Sequence, residues 1–68
     1  MSNVYKMLEL VGTSDLNYEG AIQNAITKAT ESIKEISWFT VEEQRGSIKN
    51  GIITEFQVVL KVGFKLLD

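Results

Sequence analysis

The chain contains no cysteine, no histidine and no proline, and a single tryptophan among its 68 residues. Without cysteine there is no disulfide. Without cysteine or histidine, the commonest thiol nucleophile, general base and zinc ligands are missing. The carboxylates are scattered, and no pair of them is isolated on an apolar face. No G-x-G-x-x-G and no Walker loop is present. Ser14 and Ser47 have no base visible in the sequence and read as turn and strand residues. The expectation is therefore a protein that is not an enzyme, with no catalytic residue and no metal site.

Long apolar runs are also missing. None approaches the roughly 20 residues that span a bilayer, and the N-terminus lacks the charged-then-apolar pattern of a secretory signal. A cytoplasmic location with no membrane partner is expected. The 7 basic and 9 acidic residues are intermixed, for a formal charge of −2. No basic stripe of the kind that grips a phosphate backbone results, so nucleic acid is not an expected partner.

There is no linker and no internal repeat, and residues 1–68 read as a single domain. A chain this short buries only about 60% of the surface its unfolded form exposes. Small domains need a disulfide, a metal or association to supplement a thin core. Association is the one these residues leave.

The elements follow from the side-chain pattern. Val4 to Val11 is rich in strand formers and is followed by Gly12-Thr13-Ser14-Asp15, a cluster that ends strands. From Tyr18 to Ile36, the positions Tyr18, Ile22, Ala25, Ile26, Ala29, Ile33 and Ile36 recur at spacings of three and four, the stripe of an amphipathic helix. Asn17 suits its N-cap, and Glu19 complements the positive end of the helix dipole. Trp38 to Lys49 and Ile52 to Leu66 flank Asn50-Gly51, a pair suited to a type I′ turn and hence to a long β-hairpin. The sequence predicts an α+β fold of order β-α-β-β: a three-stranded antiparallel sheet packed on one amphipathic helix.

If Asn50-Gly51 is a two-residue loop, paired residue numbers sum to 101. Alternation then places Phe39, Val41, Glu43 and Arg45 beside Phe56, Val58, Leu60, Val62 and Phe64 on a mainly apolar face, the natural seat for the helix. The other face carries Trp38, Thr40, Glu42 and Gln44 beside Glu55, Gln57, Val59, Lys61 and Gly63. Three residues stand out as binding candidates. Trp38 is either a core or interface anchor, the common use of a lone tryptophan, or a stacking platform. Gly63 falls across from it, leaving an edge of the indole uncovered or making room for the ring to lie flat on the sheet. Gln57 shares that face and has an amide able to read the edge of a heteroaromatic ring. Arg45 carries a planar fork suited to phosphate; in this register it lies on the helix side, opposite Phe56, unless a bulge at Gly46 re-aims it or an ion pair with Glu43 or Glu55 holds it.

Taken together, Val4-Tyr5-Lys6, Glu9 to Ser14, Ala21 to Ile26, Trp38-Phe39, Glu43-Gln44-Arg45-Gly46, Phe56-Gln57-Val58 and Leu60 to Phe64 resemble the dodecin family over essentially the whole length. The resemblance implies a hollow, cubic-symmetric homo-dodecamer that stores and sequesters flavin, with pairs of flavins stacked between symmetry-related tryptophans that quench their photochemistry. Trp38 matches the stacking position and Gln57 the residue that hydrogen-bonds the flavin ring. Arg45 matches the bacterial pattern that favours FMN over riboflavin-like ligands. FMN is thus the expected cofactor, with riboflavin and FAD as alternatives; coenzyme A is a further ligand of some members, with no residue assigned to it here. Two other functions remain open on the residues alone: a flavin-dependent redox enzyme, since a cofactor carries chemistry that side chains do not, and a structural module with Trp38 as an interface anchor. Gln57 and Gly63 lie six residues apart on one strand, about 20 Å. Gln57 and the Trp38 beside Gly63 therefore do not flank one flavin ring from a single chain, and a site that uses both must draw on at least two.

Overall fold

A computed structural model describes residues 3–66. The order is β1 (Tyr5–Ser14), α1 (Tyr18–Thr30), β2 (Ile36–Lys49) and β3 (Ile52–Lys65). The strands form one antiparallel sheet in the order β1-β3-β2, with β3 central. This is the predicted architecture. Asn50 and Gly51 adopt left-handed φ of 54° and 76° and close the hairpin as a type I′ turn requires.

Strand β1 runs past its expected end at Val11. Gly12, Thr13 and Ser14 pair with Val58, Gln57 and Phe56, because the ladder with β3 supplies hydrogen bonds that small polar residues would otherwise seek in a turn. The turn comes immediately after, where the Ser14 hydroxyl accepts from the Leu16 amide at 3.0 Å. Asn17 then caps α1, its side-chain oxygen accepting from the Gly20 amide at 2.6 Å, with Glu19 in the first turn as expected.

The helix stops at Thr30 rather than at Ile36. The Glu31 amide bonds back to the Lys28 and Ala29 carbonyls, and Glu35 takes a φ of 63° that reverses the chain into β2. Ile36 keeps its place on the core, but as the first residue of a strand. The apolar period carried across the turn because the same core lies beneath both segments.

The interior is narrow. Val58, Leu60 and Val62 of β3 are fully buried, with Ala21 and Ala25 of the helix packed against them. Ala21 stood outside the predicted stripe, yet it is the deepest helical residue. A Cβ on Gly12 would come within 2.0 Å of the Ala21 carbonyl oxygen and 2.9 Å of the Ala25 Cβ. The helix therefore rides directly on the β1 backbone, and the absence of a side chain at Gly12 is what permits it. Asn24 fixes the same approach by donating to the Thr13 carbonyl at 3.0 Å.

Because α1 packs against β1 and β3, it does not cover the hairpin as a whole. Phe39 and Val41, expected under the helix, remain exposed, Phe39 by 47%. At the far end the β2–β3 hairpin outruns β1, whose last pair is Ser14 with Phe56. Beyond it Ser47 to Glu55 form a two-stranded arm, with Ile48, Ile52 and Ile53 in the open.

Candidate functional site

The sheet face opposite the helix holds all three sequence-predicted binding residues, though one arrives by an unexpected route. From Trp38 to Val41 the pairs with β3 sum to 101 as predicted: Trp38 with Gly63, Phe39 with Val62, Thr40 with Lys61 and Val41 with Leu60. Glu42 is then an extra residue on β2, so that Glu43 pairs with Val59, Arg45 with Gln57 and Gly46 with Phe56. A second irregularity, at Thr54 on β3, restores the original register for Ile48 and Lys49 before the turn.

This corrects the expected faces. Glu43 and Arg45 move to the open face and Gln44 to the helix side. The bulge that re-aims Arg45 lies at Glu42 and not at Gly46, which stays inside the ladder near the Tyr18 hydroxyl. A bulge opposes two residues to one and inverts the alternation beyond it. The sequence holds no mark of it, because Glu42, Glu43 and Gln44 are all polar and suit either face.

At one end of the open face, the six-membered ring of the Trp38 indole lies over Gly63. A Cβ there would meet Trp38 Cε2 and Cζ2 at 2.2 Å and Cη2 at 2.6 Å. Of the two uses of Gly63, the structure has the second: glycine provides the floor on which the indole lies flat. One ring face is thereby set against the backbone while Trp38 keeps 41% of its surface exposed. Tyr5 closes the β1 side, its ring centroid 5.0 Å from that of Trp38 at an interplanar angle of 58°. The sequence pattern had not singled out Tyr5. Its alternation places it with Met7 on one face, but the β1–β3 register that brings that face beside Trp38 is set by no turn.

At the other end, Gln57 and Arg45 are direct cross-strand partners. Arg45 Nε donates to Gln57 Oε1, and Arg45 Nη1 donates to Glu43 Oε1 in an ion pair. The pair is about half exposed on both sides, so solvent screens it and its contribution to stability is small. Between the two ends, Lys61 Nζ pairs with Glu42 Oε1 at 3.2 Å. The face thus has an aromatic pole and a hydrogen-bonding pole, separated along β3 by the distance from Gly63 to Gln57, about 20 Å.

A family model described as Dodecin matches residues 4–67. The chain belongs to the dodecin family. It is 48% identical over 66 residues to the dodecin of Thermus thermophilus, spanning 97% of this chain and 96% of the relative. It is 30% identical over 64 residues to the calcium dodecin of Mycobacterium tuberculosis, spanning 94% and 90%. The solved structure of dodecin from Streptomyces davaonensis superposes with a TM-score of 0.95 at 37% identity, covering 100% of both chains. Dodecins are homo-oligomers that bind and hold small molecules rather than transform them. The thin core, the uncovered Phe39 and the exposed isoleucine arm are what a subunit of such an assembly presents before its neighbours are added.

The residues fit a planar heteroaromatic ligand. Such a ring needs an open, rigid aromatic face and an edge donor or acceptor, and the two poles supply one each. They stand too far apart for one chain to offer both to the same ring system.

Proposed function

We propose that this chain binds flavin, foremost FMN, and stores it in a closed homo-oligomer of twelve subunits. The observation that carries this reading is the Trp38 indole held flat on Gly63 with its outer face open. A ring fixed in this way loses little freedom on stacking, so burial and π contact go into affinity. Trp38 of one subunit and Gln57 of another then address the same flavin, the indole its face and the carboxamide its edge. Arg45 belongs to the hydrogen-bonding pole beside Gln57.

A stacked flavin has an excited state that an indole quenches by donating an electron, which afterwards returns to the indole. Trp38 would thus shield the bound ligand from its own photochemistry.

Titration of the purified protein with FMN, followed by flavin fluorescence, tests the proposal. Strong quenching that saturates and is lost in a Trp38→Ala variant is expected. No quenching, or equal quenching by the variant, would refute it. A variant that stays monomeric with Trp38 intact should lose tight binding; if it bound FMN as well as the assembly does, the shared site would be wrong.

A further inference from the structure

The chain has four asparagines, and one of them stands apart from the rest. Asn17 and Asn24 each have the carboxamide engaged: Asn17 Oδ1 accepts from the Gly20 amide at 2.6 Å, and Asn24 Nδ2 donates to the Thr13 carbonyl at 3.0 Å. Asn24 also lies inside α1, where the helix fixes its backbone and the amide that follows it. Asn3 is followed by Val4, whose branched Cβ crowds the backbone beside it. Asn50 has none of these restraints. It is followed by Gly51, both residues are exposed, and a Cβ built on Gly51 would meet nothing within 4 Å. Among the described residues no partner holds the Asn50 carboxamide as Asn17 and Asn24 are held. The ladder closes at the Lys49–Ile52 pair, so the Gly51 amide lies outside it. Beyond the irregularity at Thr54 only the pairs Ile48–Ile53 and Lys49–Ile52 remain, in a two-stranded arm that β1 does not support.

We propose that Asn50-Gly51 is a self-modification site, at which the chain deamidates through a cyclic imide and thereby loosens the end of its own hairpin. The Gly51 backbone nitrogen, after giving its proton to solvent, attacks Asn50 Cγ. A bond forms between that nitrogen and Cγ, the Cγ–Nδ2 bond breaks, and Nδ2 leaves as ammonia with a proton taken back from solvent. Water then opens the five-membered ring. Opening at Cγ leaves aspartate on the ordinary backbone, and opening at the Asn50 main-chain carbonyl leaves isoaspartate, whose chain runs through Cβ and Cγ. The step needs water and enough rotation at Asn50 to bring the nitrogen onto Cγ. Glycine opposes that rotation least, and a fraying end opens at little cost. A two-residue type I′ loop sets the register of the strands it joins. Isoaspartate lengthens that loop by a backbone carbon and places a carboxylate beside Lys49. The two outer pairs then lose the turn that holds them, while the pairs from Gly46–Phe56 inward are kept by the three-stranded sheet. The change thus ages the isoleucine arm and leaves the open face as it was, whatever that face binds.

Incubation of the assembled full chain at mildly alkaline pH, sampled by proteolysis and tandem mass spectrometry, tests the proposal against a synthetic peptide of residues 47–55. Position 50 should convert to a mixture of isoaspartate and aspartate, no more than about tenfold slower than in the peptide, because an end so weakly held opens readily. Asn17 and Asn24 should keep their amides in the same samples. The rate should rise with pH, since the attacking nitrogen must first lose its proton. Asn50→Gly leaves a glycine pair suited to the same turn and removes the carboxamide, so it should show neither product and no change with age. In the converted chain, hydrogen exchange should quicken from Ile48 to Ile53 and stay unchanged from Val58 to Val62. Asn50 still intact when the peptide has fully converted would overturn the proposal. So would aspartate without isoaspartate, because direct hydrolysis gives only the former. Conversion of Asn17 or Asn24 as fast as Asn50 would also overturn it, because the geometry would then select nothing. Isoaspartate with unchanged exchange in the arm would support the site and refute its effect on the hairpin.

Discussion

Trp38 occupies the space above Gly63 that a side chain at position 63 would otherwise fill, so the two residues form one steric unit across the β2–β3 ladder. A methyl at position 63 would have to lift the indole, because the colliding atoms belong to a rigid ring. We expect Gly63→Ala to cost about 1–2 kcal/mol of stability, in the range of core overpacking, and to weaken flavin binding by reorienting the stacking face. The same change made in a Trp38→Ala background should cost much less. Thermal unfolding of the four proteins of this cycle provides the check, and equal costs in the two backgrounds would show that the residues are not coupled.

Gly12 presents the harder case. Its nearest obstacle is the Ala21 backbone carbonyl at 2.0 Å from an added Cβ, and a backbone cannot swing aside as a side chain can. Gly12→Ala should displace α1 from β1 and destabilise the fold by about 3 kcal/mol, at the upper end of single-substitution effects. Denaturant unfolding measures this directly. A loss below about 1 kcal/mol would mean that the helix seat is more compliant than this contact implies.

Loss of the helix cap is a milder and purely local perturbation. Asn17→Ala removes the acceptor for the Gly20 amide, and about 1 kcal/mol should be lost. Asn17→Asp should be neutral or slightly stabilising, since a carboxylate keeps the bond and complements the helix dipole. Circular dichroism melts at matched assembly state distinguish the two.

The sequence made the outline of this fold legible because each of its cues acts locally. Asn50-Gly51 fixes the turn, Asn17 fixes the start of the helix, and the apolar alternation along Phe56 to Phe64 assigns the faces of β3. What stayed illegible depends on contacts distant in the chain. The end of β1 was set by pairing with β3, and the depth of Ala21 by the approach of Gly12 from another element. Trp38 and Gln57 were placed on their correct face because the register near each is that of a simple ladder or follows from β3 alone. Arg45 was not, because Glu42-Glu43-Gln44 offers no apolar residue whose burial would report a slip.

The isoleucine arm supplies a prediction about assembly. Two strands alone are marginally stable in water, and Ile48 faces Ile53 beyond the last residue of β1 with both side chains exposed. Replacing both with serine should leave the α1–β1–β3 core folded while lowering the mass of the native complex. Native mass spectrometry reads this outcome, and an unchanged mass would show that the arm makes no contact the assembly needs.

The bulge at Glu42 has a consequence for how related chains are compared. Trp38 and Arg45 are seven residue steps apart on β2, whereas their partners Gly63 and Gln57 are six apart on β3. An odd count cannot place two side chains on the same side of a regular strand, so the bulge acts as a correction of parity. A relative lacking the residue equivalent to Glu42 would reach the same side with an even count and no bulge at all. Strands of unequal length can therefore present the same surface, and a one-residue gap at this point in an alignment preserves the open face rather than interrupting it.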